Sequence, residues 1–526
     1  MADERNIVKA ASILGSSTLL SRVSGYLRDA TIAYVFGAGM SADAFFVAFR
    51  VSNLLRRLVG EGALTSSFIP IFTGVLANRP KQETKNFVSG FFTLFFIILC
   101  VLAFAGIVFS RNLVDIMSPG FSAIDVKFAT TVSLTRYMFP HMVFIGLMAI
   151  AMGVLHSHRH FAAPAMSPIL FNIAIISSSF IVAPFLREPV YALAFGVVLG
   201  GALQFALQLP FLKRYDMAPR VFFRFNDPAI KQILTLMGPA IVGIGVYQLN
   251  VFVTMRFASR LGEGSISYLY YASRLMELPL GVFGVAFTQA VLPSLSEFAI
   301  KKDSVSFRDS LSFTMRMVNF VSIPSTVGLI VLGAPIIDVL FTRGEFGGKD
   351  ASATAFALYF YALGIVPVAS SRILASVFYS LKDTLTPVFG AFLSFFFNII
   401  MCIVLIKPLG HGGLALAATL SAVVDLAFLS IALRIKIGGF GARKIILSAS
   451  KSLASAVLMG IVAYAVIFYA GWAGLKTFPK AALLFASISS GVIIYLVSCR
   501  AFNAPELVFL KEIIGGKIKG NRAKIS

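Results

Sequence analysis

Apolar runs of about 20 residues recur along almost the whole chain. A helix of this length crosses the hydrocarbon core of a bilayer, because each residue adds about 1.5 Å to the helix axis. Only 13% of the 526 residues are charged and 58% are hydrophobic, whereas about a quarter of the residues in soluble domains are charged. These features exclude a soluble enzyme, a nucleic-acid-binding domain and a disulfide scaffold. They predict an all-α polytopic membrane protein.

The apolar runs divide into about fourteen predicted transmembrane helices, separated mostly by short links. No segment between them is long enough to form a separate soluble domain. The predicted spans are roughly 7–36, 44–76, 86–110, 129–155, 163–185, 190–212, 230–258, 268–295, 313–340, 351–379, 386–406, 413–433, 445–470 and 481–499.

The basic residues between the spans predict the orientation in the membrane. If the N-terminus is cytoplasmic, the termini and the loops on that side carry 26 Lys and Arg residues, against 9 on the opposite side. Basic loops are retained in the cytoplasm. We therefore expect both termini to be cytoplasmic and the number of spans to be even. Basic cytoplasmic loops also account for most of the net charge of +22.

A weak internal repeat predicts two related halves. Phe36–Gly39 precedes a span containing Ala48–Arg50, and Leu261–Gly264 precedes a span containing Ala272–Arg274, about 224 residues later in each case. Duplicated halves are common in secondary transporters, whose substrate site lies at the interface between them. The predicted domains are a six-helix bundle over 1–225, a second six-helix bundle over 226–440, and two further helices with a basic tail over 441–526.

Basic residues inside the first span are candidates for a functional site. An arginine at mid-membrane costs at least ~2.5–3.5 kcal/mol, so it needs a partner, a water-filled cavity or a ligand. Arg22 either extends toward the cytoplasmic headgroups or faces a cavity, and Arg28 lies deeper. Asp29 adjoins Arg28, but adjacent side chains are not expected to face each other along a regular helix. Arg28 therefore lacks an evident partner on its own face.

The second span carries several charged residues over two turns. Arg50, Asn53 and Arg57 share one helical face, and Arg57 is spaced to pair with Glu61 at i+4. Arg56 lies on a different face, with no evident acid in its own helix. We interpret Arg57 and Glu61 as a structural ion pair and Arg56 as a residue facing a cavity.

The eighth span contains Ser267, Arg274 and Glu277. Two interpretations of Arg274 stay open, because Glu277 at i+3 is close enough to neutralise it. In the other interpretation, Arg274 supplies charge from the second half to meet Arg28 and Arg56 from the first. Arginines that converge in a cavity would bind a polyanion. Phosphate or diphosphate suits the guanidinium group, which binds two oxygens at once.

Other polar features give weaker indications. His156, His158 and His160 form a tract in a short basic loop with no acid or cysteine nearby, so we expect no metal site there. Asp425 is a lone acid in the twelfth span, and it serves either as a ligand for a coupling ion or as a paired structural charge. The sequence contains no P-loop, so we expect a transporter that does not use bound nucleotide.

Several motifs resemble those of the MurJ (MviN) lipid II flippase family. They are Ser21–Asp29, Phe36–Gly39, Asp43–Phe49, Asn53–Arg57, Glu61–Ala63, Pro164-Ala165 with Pro168 and Asn172, and Tyr270–Glu277. The likeness runs nearly end to end. It implies a MATE/MOP-like fold, in which two six-helix bundles enclose a central cavity and two C-terminal helices are added.

The resemblance also implies a function and a set of site residues. The family moves lipid II, an undecaprenyl-diphosphate-linked precursor, from the cytoplasmic to the periplasmic leaflet of the bacterial inner membrane by alternating access. The positions similar to the family's cavity arginines are Arg22, Arg28, Arg56 and Arg274. The supporting polar or ion-pair residues are Asp29, Asp43, Asn53, Arg57, Glu61, Ser267 and Glu277.

The expected partners are lipid II, the phospholipid bilayer and cell-wall synthesis enzymes, without nucleic acid. We expect no cofactor, and the membrane potential or a monovalent cation is the candidate energy source. Members of the family with a sodium site have acids in spans seven and eleven, where this chain has Gln248, Asn250, Asn398 and Cys402.

Three alternatives remain at this point. The chain could export another polyprenyl-diphosphate-linked oligosaccharide, or it could be a MATE-like drug exporter. A drug exporter should have acids and aromatic residues in its cavity rather than arginines. An alternative of another class is a non-transporting membrane scaffold for cell-wall enzymes.

Overall fold

The computed structural model describes residues 2–56, 64–281, 294–301 and 303–507. Within these ranges the regular elements are helices and no strand occurs, which confirms the predicted all-α class. The helices up to residue 258 are α1 (Ala2–Phe36), α2 (Met40–Arg56), α3 (Leu64–Asn78), α4 (Lys81–Val108), α5 (Ser110–Met117), α6 (Asp125–Met138), α7 (Pro140–Ser157), α8 (Ala162–Ile181), α9 (Tyr191–Arg214) and α10 (Pro228–Ala258). The later helices are α11 (Ser265–Pro279), α12 (294–300), α13 (Ser304–Phe341), α14 (Gly348–Leu363), α15 (Ile365–Ser380), α16 (Leu385–Ile437), α17 (Ala442–Tyr469) and α18 (Thr477–Ala501).

Many of these helices are long and apolar enough to cross a membrane. Among the described residues there are eight such helices, with α6 and α7 taken together as one, and α14 and α15 form a further pair bent by 41°. The predicted multi-pass membrane architecture is thus confirmed. The total of fourteen spans stays a prediction, since two predicted spans include residues outside the described ranges.

The longest helix, α16, contains a chain reversal. Its 53 residues would measure about 80 Å if straight, far more than the bilayer core of about 30 Å. Gly410 has φ 54° and ψ −130°, and a Cβ atom on Gly413 would lie 2.2 Å from the carbonyl oxygen of Leu405. Beyond this turn, Ser394 Oγ donates a hydrogen bond of 2.9 Å to the carbonyl of Ser421. The two parts of α16 therefore run antiparallel, as predicted spans eleven and twelve.

By internal contacts the chain divides into two compact units. The first comprises Met1–Ser267 and Arg343–Gly347, and the second comprises Tyr268–Thr342 and Gly348–Ser526. The predicted domain boundaries after residues 225 and 440 were inferred from the repeat and stay predictions.

In the first unit, α8 packs between α1 and α9. Four phenyl rings bridge α3 and α4, where Phe68, Phe72, Phe87 and Phe91 have ring centroids 5.0 to 6.4 Å apart. Stacked and tilted aromatic pairs at these distances add to the dispersion energy of the core. In the second unit, α17 packs against both α13 and α18. Tyr495 of α18 is buried and donates a hydrogen bond of 2.6 Å to the carbonyl of Phe320 in α13.

Loops predicted on the same side of the membrane meet within the first unit. On the predicted cytoplasmic side, Arg79 Nη1 lies 2.5 Å from Asp227 Oδ2, and hydrogen bonding from Arg79 lowers the pKa of Asp227. On the opposite side, the amide of Glu345 donates a hydrogen bond of 3.0 Å to the carbonyl of Tyr34. These two contacts agree with the predicted grouping of the loops concerned, whereas the complete alternation and the side that faces the cytoplasm stay predictions.

The turn in α16 yields a stability prediction. Gly410 has a backbone conformation that side chains with a Cβ atom rarely adopt. We expect Gly410→Ala to destabilise the protein by about 1–3 kcal/mol, measured as a lower melting temperature in detergent. Gly439→Ala is the matched control, because a Cβ atom there meets nothing within 4 Å. Equal melting temperatures for the two variants would contradict the prediction.

Candidate functional site

Arg28 is buried within α1, where Asp29 and Asn172 accept hydrogen bonds from its side chain. Its Nε and Nη2 atoms donate hydrogen bonds to Asp29 Oδ1 at 3.0 and 2.6 Å, and Nη1 donates to Asn172 Oδ1 at 3.2 Å. The expectation that Arg28 and Asp29 do not face each other is therefore wrong. The long arginine side chain bends back to its neighbour, because leaving both charges unpaired in apolar surroundings costs more than an adjusted rotamer.

Asn172 positions Arg28 from the neighbouring helix α8. Besides accepting from Arg28, its Nδ2 donates to Ser24 Oγ at 2.8 Å and approaches the carbonyl of Ser21 at 3.4 Å. Asn172 belongs to a motif of the resemblance but was not among the predicted site residues. A buried amide in an apolar helix must form hydrogen bonds, and this requirement was the available signal.

Arg22 lies less than two turns before Arg28 and is half-buried. Within the described part of the chain, its side chain forms no hydrogen bond or ion pair. A half-buried guanidinium group that forms no such contact can bind an anion without first breaking a hydrogen bond or ion pair. The sequence predicted that Arg28 lacks a partner, but among the described residues it is the guanidinium group of Arg22 that has none.

Arg274 forms an ion pair with Glu277, with Nη1 and Oε2 3.1 Å apart. This confirms the i, i+3 pairing that the spacing allowed. The pair is partly exposed, with Glu277 more accessible than Arg274. An accessible pair can exchange one anionic partner for another at little cost. Whether Arg274 meets the arginines of the first unit stays a prediction.

The predicted residues of the second span are only partly described. Asn53 is buried and its Nδ2 donates to the carbonyl of Phe49 at 2.8 Å. Arg56 is the last residue of α2, and its side chain lies outside the described part of the structure. Arg57 and Glu61 lie outside the described residues entirely, so their pairing stays a prediction.

Asp43, at the start of α2, accepts four hydrogen bonds in a buried network. Its Oδ2 accepts from Lys127 Nζ at 2.8 Å and from the amide of Gly264 at 2.9 Å. Its Oδ1 accepts from the amide and the hydroxyl of Ser267 at 3.0 and 2.7 Å. Asp43 and Ser267 were both predicted as supporting residues, and the structure brings them together at the start of α11.

Lys127 is the member of this network that the sequence analysis missed. It is buried at the start of α6, and its Nζ lies 4.2 Å above the ring centroid of Phe121. The sequence analysis placed Lys127 in the loop between the predicted spans 86–110 and 129–155 and counted it among the nine basic residues on the side opposite the termini. Because Lys127 and Asp43 are 84 positions apart in the sequence, no local spacing pattern could reveal the pair.

The histidine tract is an aromatic packing element. The rings of His158 and His160 lie 4.7 and 6.1 Å from the ring of Tyr215, and His156 packs against Phe161 at 5.1 Å. Among the described residues, no group of three or more His, Cys, Asp or Glu side chains is arranged to hold a metal ion.

Asp425 lies in the second part of α16, close against the first part. A Cβ atom on Gly390 would lie 2.7 Å from its Oδ1 atom. Within the described ranges no basic group lies within ion-pair distance of Asp425. The alternative of a paired structural charge is therefore not supported, and the coupling-ion interpretation stays a prediction.

The Asp43 network yields a second stability prediction. Removing one member of a buried ion pair leaves an uncompensated charge, which typically costs about 3–5 kcal/mol. We expect Lys127→Met to lower the melting temperature in detergent strongly. Asp43→Asn in the same chain should recover part of the loss, because the remaining charge is removed.

The matched control for Lys127→Met is Lys301→Met, which breaks an exposed pair with Glu297. Exposed pairs contribute little to stability, so this variant should melt like the wild type. Equal melting temperatures for Lys127→Met and Lys301→Met would show that the buried network does not stabilise the fold more than an exposed ion pair does.

Comparisons with known proteins identify a family. The family model described as "Lipid II flippase MurJ" matches residues 32–483. A "Lipid II flippase MurJ" from Burkholderia cenocepacia is 37% identical over 433 residues, which cover 82% of this chain and 84% of the relative. A "Probable lipid II flippase MurJ" from Vibrio cholerae is 33% identical over 500 residues, covering 94% and 95% of the two chains.

Solved structures agree in fold. A structure titled "Lipid II flippase MurJ, inward closed conformation" has a TM-score of 0.76 and 26% identity, and it covers 95% of this chain and 99% of that chain. An inward-facing MATE family transporter of the MOP superfamily has a TM-score of 0.65 at 15% identity over 82% of this chain and 99% of that chain. The second likeness concerns the fold alone. From the extent of the family match, the chain belongs to the lipid II flippase MurJ family.

Proposed function

We propose that this protein flips lipid II from the cytoplasmic to the periplasmic leaflet by alternating access. The observation that carries the proposal is the family match over residues 32–483, which includes most of the membrane-spanning helices. The protein is accordingly a transporter rather than an enzyme. Its location is the bacterial cytoplasmic (inner) membrane, with both termini in the cytoplasm, as the distribution of basic residues favours.

The proposed binding group for the diphosphate consists of Arg22, Arg28, Arg56 and Arg274. The support differs among these residues. Arg22 is half-buried without a partner in the described ranges, whereas Arg28 and Arg274 each have an acidic partner. The argument that unpaired arginines demand a ligand therefore does not extend to Arg28 and Arg274, and their assignment rests on the family motifs.

An anion-exchange step reconciles the ion pairs with diphosphate binding. Asp29 and Glu277 keep the guanidinium groups close to neutral when no substrate is bound, which lowers the cost of their partial burial. A diphosphate brings more negative charge and more acceptor oxygens than one carboxylate. Diphosphate would thus replace the carboxylate as the acceptor, and the carboxylate would reclaim the arginine after release.

The alternatives from the sequence analysis differ in what they require. An exporter of another polyprenyl-diphosphate-linked oligosaccharide would use the same arginines. A drug exporter for cations would require exposed acids, and the acids described beside the candidate arginines are engaged by them. A scaffold for cell-wall enzymes would require no transport. The membrane potential could drive net charge movement, at about 2.3 kcal/mol per charge per 100 mV, and a monovalent cation is the other candidate.

The decisive experiment uses the full chain reconstituted in vesicles that contain fluorescent lipid II in one leaflet. We expect labelled lipid II to become accessible on the far leaflet only in vesicles with the protein. Transport of a different lipid-linked sugar at the same rate would favour the broader exporter. If the inserted and folded protein did not transport lipid II, the result would contradict the flippase proposal and favour a non-transporting scaffold.

Arginine variants test the proposed site in the same vesicles. A charge-assisted hydrogen bond contributes about 1.5–3 kcal/mol, so Arg22→Ala, Arg28→Ala and Arg274→Ala should each slow flipping about 10- to 100-fold. Arg28→Lys should restore little, because the ammonium group lacks the two-pronged geometry. The matched control is Arg372→Ala, which removes an exposed arginine of α15. Full flipping by all three alanine variants would refute the site and leave the flippase proposal standing.

A further inference from the structure

The connection between α9 and α10 contains an extended segment with an unusual surface. Residues 218–227 form no helix, and three apolar side chains alternate along the segment and point outward. Val221 is 77% exposed, Phe223 73% and Phe225 38%, while Arg220 and Arg224 are also exposed. The rings of Phe223 and Phe225 contact each other edge to face, with centroids 6.2 Å apart. We refer to residues 218–227 as the extended segment.

The middle of the extended segment is attached to α4. The amide of Phe222 donates a hydrogen bond of 3.0 Å to Thr93 Oγ1, which in turn approaches the carbonyl of Arg220 at 3.3 Å. The carbonyl of Arg224 lies against Gly90, where a Cβ atom would be 2.9 Å away. A side chain at Gly90 would therefore push the segment off the helix.

Ion pairs also hold both flanks of the extended segment. Lys85 Nζ lies 2.7 Å from Asp216 Oδ1 just before the segment, and Arg79 binds Asp227 at its end. Asp227 also caps α10 by accepting a hydrogen bond of 2.9 Å from the amide of Ala229. The outward position of the apolar side chains is thus built into the fold.

The contacts with α4 define the depth of the extended segment in the bilayer. The charged residues of α4 end at Lys85, and residues 87–108 contain none. These 22 residues measure about 33 Å as a helix, close to the thickness of the hydrocarbon core. Gly90 and Thr93 lie in the first two turns of this uncharged stretch. The extended segment therefore runs along the boundary between headgroups and hydrocarbon.

The extended segment combines polar backbone groups with apolar side chains, which suits the boundary better than either water or hydrocarbon alone. Within the described part of the chain, the backbone amides of Val221, Phe223 and Phe225 have no hydrogen-bond partner. Unpaired amides are not tolerated in hydrocarbon, and exposed phenyl rings are unfavourable in water. At the interface, water and headgroups satisfy the amides, the rings enter the acyl region, and the arginines reach lipid phosphates.

We propose that the extended segment is an interfacial membrane-binding site for anionic phospholipids. Val221, Phe223 and Phe225 insert below the headgroups, while Arg220 and Arg224 bind headgroup phosphates. The basic side chains attract anionic lipids by charge, and each contributes independently of the transported substrate. This site lies outside the proposed transport site and does not depend on lipid II recognition.

Single-tryptophan variants of the full chain test the insertion. The chain has one tryptophan, Trp472, so Trp472→Phe provides an empty background for Phe223→Trp. Two controls lie on α4, namely Phe96→Trp, at an exposed apolar position near the middle of the uncharged stretch, and Gln82→Trp, at an exposed polar position in the first turn of the helix. In vesicles, we expect lipids brominated near the headgroup to quench Phe223→Trp most strongly. Lipids brominated near the chain end should quench Phe96→Trp, and aqueous iodide should quench Gln82→Trp.

The lipid preference is tested in the same variant. Brominated phosphatidylglycerol should quench Phe223→Trp several-fold more effectively than brominated phosphatidylcholine at low ionic strength. Adding Arg220→Gln and Arg224→Gln should remove this difference and leave insertion in place. Equal quenching by both lipids before the arginines are changed would overturn the assignment to anionic lipids.

The insertion itself is overturned if iodide quenches Phe223→Trp as strongly as Gln82→Trp and brominated lipids do not. That outcome would assign the exposed rings to a protein partner. A Phe223→Trp preparation that melts like the Trp472→Phe background is folded, and quenching of Phe96→Trp by brominated lipid verifies that chains insert into these vesicles. A misfolded variant therefore cannot imitate this result.

Discussion

The whole structure depends on one constraint, which is that charges and backbone groups removed from water must find partners within the protein. The Asp43 network meets this constraint most completely. One carboxylate neutralises Lys127 and also accepts from the amides of Gly264 and Ser267, so a single side chain joins α2, α6 and the start of α11. Where no water competes, such a network favours a single arrangement of the helices. Any arrangement that breaks one of its contacts leaves a buried charge without a partner in apolar surroundings.

The same constraint changes the interpretation of the candidate transport site. A deep arginine in an apolar helix suggests an anion-binding site. Arg28, however, is neutralised by Asp29 and oriented by Asn172. A carrier benefits from this arrangement, since an unloaded site must also cross between its two states. If diphosphate replaces the carboxylate as proposed, the guanidinium is paired in both the empty and the loaded carrier and is never an isolated charge within the membrane.

Breaks in the helices fall where the chain must change direction or depth. Gly410 reverses α16, and Gly364 separates α14 from α15 at a bend of 41°. The extended segment before α10 is another interruption. The amides of Val221, Phe223 and Phe225 have no partner among the described residues, which confines the segment to the edge of the hydrocarbon region. The turn at Gly410 thus lies between two predicted spans and the extended segment lies at the proposed interface, whereas the bend at Gly364 lies within one predicted span.

The sequence by itself determined the all-helical membrane architecture and the family resemblance. These properties depend on apolar length and local motifs, which are both readable along the chain. The i, i+3 pair of Arg274 and Glu277 was also predictable, because its geometry is set within one helix. Only the tertiary structure decided that Lys127 neutralises Asp43, that Asn172 orients Arg28, and that Arg28 bends back to Asp29. The first two contacts join residues far apart in sequence, and the third follows from the burial of α1 against α8, so their energies depend on packing that no local pattern encodes.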